Sequence, residues 1–173
     1  MKKVLLLVLV SVSLSSCSSS MLLLQGEYPR YNYSIETTLS KDDVWDNIVD
    51  WFFDQQISIS LIDKQSGIIK SGTISLIDVS AEESDGKPIA PEAYCVFAGD
   101  SFWEWDHIIS SITGSVMARV VQNEEKTIVR VILADLECCS RKDTNRYIEV
   151  KSTGVFEKSW LERMTKQSNN GKQ

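Results

Sequence analysis

The residues of this chain that could do chemistry are few and scattered. His107 is the one histidine, and Cys17, Cys95, Cys138 and Cys139 are the four cysteines. A thiolate nucleophile with a histidine base, or a zinc site, would draw on this set. The spacings match no metal-ligand motif, and His107, Cys95 and the Cys138–Cys139 pair fall in separate segments. The 24 acids offer no distinguishable pair for acid–base work. No Gly-rich phosphate loop, nucleophile elbow or Walker-like sequence is present. No catalytic residue, metal ligand or cofactor is assigned on these grounds. One aromatic stretch remains: Phe102, Trp103 and Trp105, interleaved with Glu104 and Asp106. Such a group suits either a core or an exposed stacking platform for a protein or glycan partner.

Cys17 belongs to a different chemistry. Lys2 and Lys3 open the chain, Val4 to Val12 are almost wholly apolar, and Leu14-Ser15-Ser16-Cys17 follows. A positive start, a short apolar run and small residues make a secretory signal. The run is too short to span a bilayer, which takes roughly 20 apolar residues. Leu-Ser-Ser-Cys resembles the lipobox of bacterial lipoproteins, in which the sulfur receives a diacylglycerol and the chain is cut just before it. The resemblance implies a signal peptide over 1–16 and a mature chain that begins at a lipidated Cys17. No acidic run follows Cys17, and Asp is not the second residue. Both features lean toward the periplasmic face of the outer membrane.

Charge narrows the partners. The 173 residues carry a formal charge of −6, and losing residues 1–16 removes Lys2, Lys3 and no acid. That leaves 16 basic against 24 acidic groups, or −8. So acidic a surface is a poor match for nucleic acid. With Cys17 given to lipid, three cysteines remain. Cys95 can bridge either Cys138 or Cys139, leaving one thiol, whereas a ring between the vicinal pair is strained.

The segments between these groups must position them. Residues 17–29 read as lipidated cysteine and tether, although Met21 to Leu24 is apolar for a free linker. Residues 30–167 read as one domain and 168–173 as a disordered tail. Tyr31 to Leu39 alternates with period two, which predicts a strand. Ser40 is placed to cap a helix over 41–55, with Asp42 and Asp43 in its first turn. Val44, Trp45, Ile48, Val49, Trp51 and Phe52 fall within about 160° of its circumference, with the acids opposite. Ile57 to Ile77 reads as a hairpin about Asp63-Lys64-Gln65-Ser66-Gly67, with a bulge or close approach at Gly72. Asp78 to Ala93 reads as a long polar loop, and Tyr94 to Ala98 as a short strand. Ile112 to Gln122 and Thr127 to Glu137 read as a second hairpin, with Val129, Val131 and Leu133 on one face and Ile128, Arg130 and Ile132 on the other. Ser152 is expected to cap a final helix over 153–166.

This order gives an α+β fold, an antiparallel sheet with two amphipathic helices packed on one face. Several stretches are similar to a domain of unknown function in Bacteroidetes lipoproteins with a TATA-box-binding-protein-like fold. They are Val44-Trp45-Asp46-Asn47-Ile48, the turn from Ile62 to Ile69, Gly114-Ser115-Val116, Val131 to Leu136, and Ser152-Thr153-Gly154. More distantly, the chain resembles the lipoprotein C subunit of the β-barrel assembly machine. The resemblance implies a fold and assigns no catalytic residue. The expected function is a membrane-tethered, non-enzymatic envelope lipoprotein that acts as a binding or scaffolding module. The alternative is an envelope hydrolase or metal protein using His107 and the cysteines.

Cys17→Ser tests the anchor directly. It is expected to abolish incorporation of radiolabelled fatty acid, and unchanged labelling would refute the lipobox reading.

Overall fold

The computed structural model describes residues 21–28, 33–99, 109–140 and 147–166. Its spine is a hairpin of two 15-residue strands, β9 (Ile109–Asn123) and β10 (Lys126–Ser140). They pair from Lys126 opposite Asn123 to Ser140 opposite Ile109, through a turn with Glu124 at φ 46°. On the far side of β10 lies β2 (Tyr33–Thr37), antiparallel. On the far side of β9 lie β4 (Ile68–Ser71) and, further along, β5 (Ile74–Ser75). β3 (Ile59–Asp63) pairs with β4 and forms the edge. The β3–β4 turn closes as expected, with the Asp63 carboxylate accepting the Ser66 N–H at 3.0 Å.

Alternation along the hairpin decides which face is core. In β9 the buried residues are Ile112, Val116, Ala118 and Val120, and in β10 they are Thr127, Val129, Val131 and Leu133. Beyond Leu133 the parity changes. Leu136 and Cys138 pack against the core, and Ser140 is buried. The change is made at Asp135, which sits at φ 51° where the register shifts between Ala134 and Glu137. An inserted bulge residue re-aims every side chain after it. With an unbroken pleat the Asp135 carboxylate would point into the core and Leu136 would point out. Aspartate tolerates this left-handed conformation better than most residues.

Both helices cover the core face. In α1 (Lys41–Asp54), Ser40 is the cap: its Oγ accepts the Asp43 N–H at 3.1 Å and its hydroxyl donates to Asp43 Oδ2 at 2.7 Å. Val44, Trp45, Ile48 and Phe52 are buried. The helix ends with Gln56 at φ 54° and the Ile57 N–H on the Phe52 carbonyl at 2.9 Å, a Schellman closure. In α2 (Val155–Met164), Phe156, Trp160, Leu161 and Met164 are buried. Trp51 joins the two helices, its ring 5.7 Å from Trp160 and 6.2 Å from Phe156. The Asn47 amide donates to the Met164 carbonyl at 3.2 Å, satisfying one of the free carbonyls at the end of α2.

Three expectations need correction. The cap of α2 is Gly154, not Ser152. Gly154 has φ 86° and lies against the Tyr33 hydroxyl, so a side chain is excluded on both counts. The Ser152 hydroxyl donates instead to Glu157 at 2.8 Å and accepts the Gly154 N–H at 3.0 Å. Second, Asp78 to Ala93 is not a loop. It holds a 3-10 turn (Ile77–Val79) and the strands β6 (Ser80–Ser84) and β7 (Lys87–Pro88). These join β8 (Cys95–Phe97) and β12 (Val150–Ser152) in a second sheet ordered β12-β8-β6-β7, with β6 and β8 parallel. The acids of β6 obscured it, although Ala81 is buried and Glu83 Oε2 and Oε1 accept the Gln25 and Gly26 N–H groups at 2.6 and 2.7 Å. Third, Met21 to Tyr28 is no free tether. β1 (Met21–Leu22) pairs in parallel with β11 (Tyr147–Ile148). Residues 168–173 lie outside the described residues.

Trp45→Asp and Phe52→Asp each put a carboxylate at a site under 5% exposed. Each is expected to cost about 4 kcal/mol or more. Denaturant melts of the two variants check this, and near wild-type midpoints would refute the packing described.

Candidate binding surface

Most residues singled out by sequence fall outside the described residues. Cys17 does, as do Phe102, Trp103, Glu104, Trp105, Asp106 and His107. The other three cysteines are described, and all are free thiols. Cys95 is fully buried in β8, and burial, reinforced by the negative charge of Glu157, pushes its thiol up to about 12. Cys138 is half-buried and is pushed up to about 11, mainly by burial and then by Cys139. Both stay protonated at neutral pH, the wrong state for a nucleophile or a metal ligand. Among the described residues no group of three or more His, Cys, Asp or Glu side chains is placed to hold a metal.

Among the described residues Glu157 is the one buried carboxylate, 2% exposed. It accepts the Leu133 N–H at 3.1 Å and the Ser152 hydroxyl at 2.8 Å. Among the described residues β2 pairs β10 as far as Tyr33 opposite Val131. Glu157 thus satisfies a backbone amide of β10, which gives it a structural task. The sequence hid it because a glutamate in the first turn of a helix ordinarily faces water.

The unused side of the main sheet is the larger feature. Because α1 and α2 take one face, the alternate residues of β2, β10, β9, β4 and β3 point away from them. Register places these in three rows. Ser34, Arg130, Arg119 and Ile68 run across the middle. Ile132, Met117, Lys70 and Leu61 run on one side of them. Glu36, Ile128 and Val121 run on the other. Leu61 is 49% exposed, and Ile132 and Val121 are each 36% exposed.

Within this surface the charges are treated unequally. The Lys70 ammonium is 2.7 Å from Asp135 Oδ2, which also receives the Ser115 hydroxyl at 2.7 Å. Lys126 is 2.7 Å from Glu36 Oε2. Arg119 and Arg130 face each other directly across the ladder, both exposed. No ion pair among the described residues includes either one. The signal was present in the sequence: Ile128 and Ile132 flank Arg130 on the strand face opposite Val129, Val131 and Leu133. A strand apolar on both faces asks to be covered on both.

No family model and no curated protein matches the chain. The surface must be read from its own chemistry. Two guanidinium groups on a rigid sheet, between aliphatic rows, suit carboxylates set in a partly apolar surface.

Asp135 is the hinge of this geometry. Hydrogen bonds from Lys70 and then Ser115 hold its carboxyl below the usual carboxylate range. Since its folded value is depressed, the stability it contributes is present above the ordinary carboxylate pKa and is lost as pH falls through the depressed one. Asp135→Val places a β-branched residue at φ 51° and is expected to cost about 2 kcal/mol. Asp135→Gly loses the same carboxylate without the backbone strain and should cost less. Urea midpoints of both variants check this, and a smaller loss for valine than for glycine would contradict it.

Proposed function

We propose that this chain is a membrane-tethered, non-enzymatic lipoprotein of the bacterial cell envelope, a binding or scaffolding module whose uncovered sheet face recognises an acidic, partly apolar surface on an envelope protein. One observation carries the recognition: Arg119 and Arg130 stand directly opposite each other, and neither makes an ion pair among the described residues. Like charges in that relation destabilise a sheet. The chain has 24 acids against 18 bases, yet among the described residues none is paired to these two. Anionic groups supplied by a partner relieve the repulsion, so the cost borne by the free protein returns as binding energy and specificity.

The lipobox at Leu14-Ser15-Ser16-Cys17 supports the anchor and, with no acidic run after it, the periplasmic face of the outer membrane. Two helices on one face of an antiparallel sheet support the resemblance to the TATA-box-binding-protein-like lipoprotein domain. The acidic balance speaks against nucleic acid as the ligand. The alternative of a hydrolase or metal protein is weakened by Cys95 and Cys138, which are held as neutral thiols. The aromatic segment from Phe102 to Asp106 stands as a second contact for the same partner.

Arg119→Gln combined with Arg130→Gln tests the reading. The double variant is expected to gain about 0.5 kcal/mol by losing the repulsion. It should also lose the partner recovered by in-envelope cross-linking, while Asp46→Lys on the opposite side of the domain keeps it. Recovery of the same partner by the arginine double variant would contradict the proposal.

A further inference from the structure

The short apolar segment that precedes the domain is fixed to it. Met21 and Leu22 pair with Tyr147 and Ile148, and the Glu149 N–H donates to the Leu22 carbonyl at 2.9 Å. The Leu24 N–H donates to the Glu149 carboxylate at 2.9 Å. The Gln25 and Gly26 amides are held by Glu83. In this small parallel pair Ile148 points inward and is 3% exposed. Met21, Leu23 and Tyr147 point outward, 58%, 56% and 55% exposed. Nothing in the described part of the chain covers them.

Chain length supplies the second constraint. Met21 is four positions along the chain from Cys17. At roughly 3.3–3.6 Å per residue, the two α-carbons lie no more than about 14 Å apart. An acylated Cys17 sits in the headgroup layer, so Met21 can rise no further than that above it. A domain with its first strand so placed has no room to swing free of the bilayer. Tyrosine beside aliphatic side chains is the composition that favours the membrane–water interface.

Resting on the lipidation of Cys17 argued above, we propose that Met21, Leu23 and Tyr147 form a membrane-contact patch that seats the domain on the bilayer and fixes its orientation there. The occupant of this patch is the lipid surface that holds the anchor. The acyl chains provide attachment, and the patch turns a swivelling tether into a foot.

The test uses the full-length lipidated chain in vesicles of phosphatidylethanolamine and phosphatidylglycerol. Benzoylphenylalanine replaces either Tyr147 or, as control, Asp46 on the acidic face of α1. The intact mass first reports the acyl chains on Cys17. Irradiation is expected to give roughly tenfold more lipid adduct at 147 than at 46. Adding Met21→Ser and Leu23→Ser should cut the adduct at 147 several-fold without altering the melt, since both side chains are exposed. Equal lipid adduct at both positions, or adduct at 147 to protein in place of lipid, in a chain whose mass shows the acyl groups, would overturn the patch while leaving the anchor intact. A mass lacking acyl groups would overturn the anchor, and the patch with it.

Discussion

The antiparallel ladder between β9 and β10 runs the full 15 residues of each strand, and an extra residue in β10 decides which side of that strand is core. Asp135 is that residue. Up to Leu133 the odd positions of β10 face the helices, and after the bulge Leu136 and Cys138 do so. A strand without the bulge would have to bury a carboxylate or expose its apolar half, and either choice costs more than one residue in the left-handed region. The ion pair with Lys70 and the hydrogen bond from Ser115 hold the bulge in place. They link β4, β9 and β10 on the side of the sheet away from the helices.

That arrangement settles how the two faces are used. The core face receives Val44, Trp45, Ile48 and Phe52 from α1 and Phe156, Trp160, Leu161 and Met164 from α2. The opposite face keeps Ile132, Met117, Ile128 and Val121 around an arginine pair that would be avoided if stability alone mattered. The second sheet and Glu157 serve the fold. Glu157 satisfies the Leu133 amide, and β6 fixes the incoming chain through Glu83. The chemistry that sequence first suggests, thiols with a histidine, has lost two of its thiols to burial.

Where a physical signal was strong and local, the sequence was legible. The apolar stripe of α1, the Ser40 cap with Asp43 three residues on, the Asp63-to-Gly67 turn and the long hairpin all follow from period and turn chemistry. Signals that depended on distant partners were not. β6 reads as an acidic loop because its acids accept backbone N–H groups from residues 25 and 26, far away in the chain. Glu157 reads as a solvated helix residue because nothing local shows that its carboxylate accepts the Leu133 N–H from a distant strand. The bulge was visible as a change of parity between Leu133 and Leu136, but without a structure that break is equally the end of a strand. The aromatic segment and Cys17 with its lipobox-like stretch stand on sequence alone, since both lie outside the described residues.

If the arginine-bearing face meets a partner, it is covered in the envelope and bare in the isolated protein. Thiol labelling reads this most directly. Ile132→Cys, in a Cys139→Ser background that removes the exposed native thiol, places a reporter two residues from Arg130 on the same face. Its reaction with a polar maleimide should be several-fold slower in intact envelopes than in detergent-purified protein, and Arg119→Gln with Arg130→Gln should abolish that protection. Equal labelling rates in the two settings would contradict the account.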